Sequence, residues 1–191
     1  MKKYTDISDE LEKKRNEFYE KVRNDIYDFS SKHLKYGMCV KTLKHVLKEN
    51  GFSRLGIYQN VEKSINKLKE LSEKMPEIEI IRGGPEGNDH MAAQMIANAS
   101  TGNYIVIAML ASFLYPIRKL KGCHHVATVV KDRLTDNPSV GQGGVISEKH
   151  IFKTALWSFS WNKKNVDGIN NKHYMVYFKY GLTEKENENN T

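Results

Sequence analysis

The sequence predicts an α+β fold, and the order of its two hydrophobic periodicities is what predicts it. Apolar residues recur at helical spacing between Asp9 and Glu73, whereas β-branched runs of strand length dominate from Tyr104 onward. Helices first and strands later is the pattern of segregated layers with a mostly antiparallel sheet, not of alternating βαβ units. The 191 residues are enough for one domain with a real core, and 39% hydrophobic against 28% charged residues is the balance of a globular protein. The expected organisation is an N-terminal helical arm over 1–35, an α+β domain over 36–182 and a polar tail over 183–191. The tail reads "TEKENENNT", too polar to bury anything, and disorder is expected there.

Asp9 to Leu34 reads as a long charged helix with an apolar stripe through Leu11, Phe18, Val22, Ile26 and Phe29. Ser8 is its expected N-cap. Gly37 breaks that helix, and Val40, Leu43, Val46 and Leu47 form a second stripe that Gly51 stops, so Cys39 falls in the first turn of the second helix. Asn60 to Glu73 is a third amphipathic helix through Val61, Ile65, Leu68 and Leu71, ended by Pro76. "IEII" (Ile78 to Ile81) is a short strand, "RGGPEGND" a loop, and His90 to Ala99 a short helix with Asp89 as its N-cap. "YIVIAML" and "HVATVVK" are strands by length and β-branching, with a return strand around "VGQGG". "HYMVYFKY" alternates and is the last strand.

A net charge of +7 suits an anionic partner, but the excess is scattered through Lys13-Lys14-Arg15, Lys163-Lys164 and single lysines. Without an Arg-aromatic cluster, a helix-turn-helix signature or a stacking platform, nucleic acid is not the expected partner. "MKKYTDISDELEKK" has no apolar core of a secretory signal, and the longest apolar run, Tyr104 to Tyr115, is too short for a membrane span. A chain that is cytoplasmic as made is expected. Two cysteines, Cys39 and Cys123, are too few for a disulfide scaffold and fit a reducing compartment.

Three residues stand out chemically. Cys39 opens a helix, where unsatisfied N–H groups and the positive end of the dipole favour thiolate, the form a nucleophile needs. A small buried hydrophobe at the edge of the stripe is the alternative reading of the same residue. His125 opens a strand, a place that holds an imidazole rigidly at the rim of a core. Gln142 follows 17 positions later across a loop, so a hairpin can lay it beside His125 and orient the ring through its amide oxygen. Asn137 could serve in its place, and the glycines around Gln142 could equally mark a simple bulge.

The adjacent "CHH" of Cys123, His124 and His125 invites a metal site, but strand alternation points the two histidines to opposite faces. No second ligand pair stands at finger-like spacing, so neither metal nor cofactor is expected. The carboxylates lie on polar helix faces, and no P-loop, Rossmann fingerprint or nucleophile elbow occurs. Trp157, Phe159 and Trp161 alternate and could line a groove or pack in the core.

A cysteine at a helix start, then a histidine opening a strand, then a polar residue on the next strand resembles the papain-like clan. More narrowly the chain is similar to NlpC/CHAP-type amidases and endopeptidases of bacterial wall peptides. The likeness runs from about Asn88 to Tyr180: "AAQMIANASTGNYIVIAM" for the helix and strand, "HHVATVV" for the histidine strand, "PSVGQGG" and "HYMVYFKY" for those that follow. It departs from that pattern in His124, where a glycine is usual, in the context "YGMC", and in the long helix before Cys39. The resemblance implies a papain-like fold with N-terminal helices on a mostly antiparallel sheet. It implies Cys39 as nucleophile, His125 as base and Gln142 as orienting residue. It also implies thiol-dependent cleavage of a peptide or amide bond, with peptidoglycan as the expected substrate. Such an enzyme made without a signal would be released or injected to reach the wall, as a phage-related lysis enzyme is. The other expectation is a catalytically inert, basic binding or assembly module of the same fold, phage- or plasmid-related. Metal chemistry at Cys123-His124-His125 ranks third.

Overall fold

The computed structural model describes residues 4–82, 89–110, 124–132, 138–154 and 175–183. Among them are four α-helices and a six-stranded sheet, which makes the fold α+β. The helices are α1 (Tyr4–Ser31), α2 (Cys39–Glu49), α3 (Val61–Ser72) and α4 (Asp89–Ala99). The strands are β1 (Ile78–Ile80), β2 (Tyr104–Leu110), β3 (His125–Val129), β4 (Ser139–Gly141), β5 (Phe152–Thr154) and β6 (Met175–Gly181), with a 3-10 turn at Glu148–His150 before β5. Every pairing is antiparallel, in the order β1-β6-β2-β3-β4-β5.

The helical stripes are buried largely as their spacing predicts. Val40, Leu43, Val46 and Leu47 of α2 and Val61, Ile65, Leu68 and Leu71 of α3 all belong to the single hydrophobic core. The Asn60 side chain caps α3 by accepting from the N–H of Lys63 at 3.0 Å, which satisfies one of the orphan donors of its first turn. Helix α1 differs from expectation at its start. It already runs from Tyr4, so Ser8 lies inside it and is not a cap, and Leu11 stays 40% exposed. Its buried face is Tyr19, Val22, Ile26 and Ser30, and the first three pack on the common core. Asp89 is the first residue of α4, an acid favourably placed in the first turn.

Both faces of the sheet are covered. Tyr177 reaches one side, where its hydroxyl meets Nδ1 of His90 in α4 at 2.7 Å. Tyr180, three residues on and so on the other face, donates to the carbonyl of Leu55 ahead of α3 at 2.7 Å. Strand β3 is consequently buried along its whole length, which is why "HVATV" reads as a continuous run rather than an alternation. No helix among the described residues is long and apolar enough to cross a membrane.

Candidate active site

Cys39 is the first residue of α2, reached through a turn at Gly37 whose φ is +80°. Met38, at the cap position, offers no side-chain acceptor. Backbone N–H groups of Val126, Val40 and Cys39 itself are therefore the donors that reach the sulfur. Val126 directly follows His125, so this contact brings the cysteine to the start of β3. The β3–β4 ladder begins only at Thr128, which leaves the first residues of β3 without a β4 partner on that side.

The ionisation of Cys39 departs from what a helix start alone predicts. Its side chain is buried, at 9% exposure, and desolvation pushes the thiol up. The N–H groups pull the other way, and burial wins. The balance favours the thiol over the thiolate.

His125, the residue before Val126, is held by a chain of hydrogen bonds. His125 Nε2 meets Gln142 Oε1, and Gln142 Nε2 donates to the carbonyl of His150 at 2.8 Å. A carbonyl only accepts, so the Gln142 NH2 must face His150 and its oxygen must face the ring. The oxygen in turn needs a donor, which puts the proton on Nε2. Burial holds His125 below the ordinary histidine range, with the Gln142 bond opposing that shift, so the ring is neutral at pH 7. In a neutral imidazole protonated at Nε2, Nδ1 is the basic nitrogen.

Gln142 comes to the histidine through the β3–β4 hairpin, in which Thr128 pairs with Gly141. Its backbone N–H donates to the carbonyl of Ile151 at 2.9 Å, just before β5. The two glycines that follow bring the same loop onto the first turn of α2. A Cβ on Gly143 would lie 1.8 Å from Thr42 Oγ1, and one on Gly144, where φ is +79°, would lie 3.2 Å from the backbone N of Cys39. Only a chain without side chains at 143 and 144 can approach the helix that closely. The segment "GQGG" thus joins the element bearing Gln142 to the element bearing Cys39.

The remaining sequence candidates fall elsewhere. His124 lies just ahead of β3, and Cys123, Asn137, Trp157, Phe159, Trp161 and the polar tail beyond Thr183 lie outside the described residues. Among the described residues no group of histidine, cysteine and carboxylate side chains is arranged to hold a metal ion. Two contributors escaped sequence reasoning. The His150 carbonyl, a backbone atom, sets the amide of Gln142, and Ser30 of α1 donates to the Gln142 carbonyl at 3.2 Å. Neither carries a sequence signature, because one is main chain and the other is one of several serines on a charged helix.

Neither a scan of protein-family models nor a search of curated proteins found a match to this chain.

Proposed function

We propose that Cys39, His125 and Gln142 form the reacting group of a thiol-dependent hydrolase with a papain-like, NlpC/CHAP-type plan. The observation that carries this reading is the fixed amide of Gln142. It keeps His125 in the tautomer with a basic Nδ1, while the Cys39 sulfur lies against the N–H of the next residue along β3. In the proposed reaction the thiol proton moves to His125 Nδ1 as sulfur attacks the carbonyl carbon of a peptide or amide. The proton then passes to the leaving amine, and water hydrolyses the thioester. N–H groups at the start of α2 supply the positive field that stabilises the oxyanion. A peptide crosslink or stem peptide of an anionic wall polymer is the proposed substrate, in keeping with the net charge of +7.

The burial of Cys39 favours a second reading, an inert relative whose cysteine only packs. One experiment separates the two. In a Cys123→Ala background, Cys39 alkylation by iodoacetamide is followed against pH with and without His125→Ala. The hydrolase reading expects His125→Ala to slow alkylation near neutral pH about tenfold or more, within the range of general-base effects. It also expects Cys39→Ala to abolish amine release from purified peptidoglycan. Alkylation indifferent to His125, with no amine release by the unaltered protein, overturns it in favour of the inert module.

A further inference from the structure

We infer that one face of α1 is a clamp that sets the position of Gln142, with Ser30 as the positioning residue that acts through it. This inference rests on the hydrolase reading for its catalytic meaning, although the clamp itself is a matter of geometry. Arg23, Ile26, Tyr27 and Ser30 stand at i, i+3, i+4 and i+7, so they share a single helix face. Each touches the stretch from Gly141 to Phe152 that carries Gln142.

Arg23 lies over the Phe152 ring, 4.3 Å from its centroid. Ile26 packs against Gly141, where a Cβ would come within 2.6 Å of Ile26 Cδ1 and 2.8 Å of Phe152 Cε1. Tyr27 donates to Glu148 Oε2 at 2.7 Å, in the 3-10 turn whose last residue, His150, receives the Gln142 amide. Ser30, 1% exposed, donates to the Gln142 carbonyl itself. The same helix face therefore holds both the Gln142 main chain and the turn that orients its side chain. A surface arm that merely covered the sheet would need the apolar contact alone. The hydroxyl of Ser30 bonds the glutamine itself and the phenol of Tyr27 bonds the turn that receives its amide, and that coincidence points to alignment of His125.

The test uses the full chain in the Cys123→Ala background, with two readouts: the ring nitrogen shifts of His125 under histidine-selective 15N labelling, and the Cys39 alkylation rate. Ser30→Ala is expected to move His125 away from the Nε2–H tautomer and to slow alkylation about fivefold, the loss of one buried hydrogen bond. Tyr27→Phe, at an exposed site that leaves the core intact, moves both readouts in the same direction by about twofold. Ser30→Thr, which keeps the hydroxyl, restores both. In a Gln142→Ala background Ser30→Ala adds less than about twofold, because the residue through which it acts is gone. Ring shifts that stay unaltered in Ser30→Ala and Tyr27→Phe overturn the clamp, as does a full additional effect in the Gln142→Ala background. If instead His125→Ala leaves alkylation unchanged while Ser30→Ala still moves the ring shifts, the clamp stands and the hydrolase reading falls.

Discussion

Gln142→Ala probes the site most directly, because one truncation removes both bonds that define the histidine tautomer. The main-chain bonds to Ile151 and Ser30 survive the change, so the loop keeps its path. Two side-chain bonds are lost, to His125 and to the His150 carbonyl, each contributing on the order of 1 kcal/mol. If water enters and pairs the freed groups, the cost is about 2 kcal/mol. If the space stays dry, the stranded N–H and carbonyl add their desolvation, for a total of about 4 kcal/mol. For a chain of this size, about 2 kcal/mol lowers the thermal midpoint by about 4–8 °C. Urea denaturation and a thermal scan measure the stability change, and 15N shifts of the ring report the tautomer. The neutral Nδ1–H form gains population in the variant, since the Gln142 oxygen that favours Nε2–H is gone. A stability loss below about 0.5 kcal/mol together with unaltered His125 shifts would refute the linked hydrogen bonds on which the site rests.

The other expectations concern packing, capping and protonation. Gly143→Ala forces a methyl into Thr42 Oγ1 and should destabilise by about 1–3 kcal/mol, with part of the loss recovered in a Thr42→Ala background, as read from urea midpoints. Asn60→Ala removes the α3 cap and should cost about 1 kcal/mol by the same measurement. His125 is held below its ordinary value of 6.5, so the unfolded chain takes up the proton first as pH falls. Its contribution to stability is fully present above 6.5 and is lost as pH drops through the interval down to the folded value. The difference in stability between the unaltered protein and His125→Asn should accordingly shrink on acidification across that interval. A difference that grows instead would show the ring to be protonated in the folded protein.

Much of this architecture can be read from residue spacing, and the exceptions have physical causes. Helices α2 and α3 were legible because each carries an unbroken apolar stripe between clear stop signals, and Asn60 marks its own helix start. The proximity of His125 and Gln142 was legible because a hairpin of that length restricts which residues can meet. Strand β5 went unread, since Phe152–Thr154 is short and, among the described residues, pairs along one edge only. The start of α1 was misjudged because Ser8 is a favourable cap by type, while the helix continues without it to Tyr4. The state of the Cys39 thiol could not be read locally at all. The helix start is a property of neighbouring residues, but the burial that outweighs it comes from strands and loops distant in the chain. Ser30 was invisible for a related reason: its partner is a carbonyl 112 positions away.

The sheet order carries a consequence for how the chain comes to be folded. Strand β6 is the last of the described strands in chain order, yet it lies between β1 and β2 and pairs with both. Until it arrives β1 has no strand partner among the described residues, and β2 offers an open edge of seven residues. A nascent chain halted before Met175 therefore exposes an apolar strand with one open edge, of the kind that recruits other chains. Closure of the sheet must await the C-terminal segment, so long-range pairing is the slow step, and ribosome-bound or truncated chains would be the aggregation-prone species.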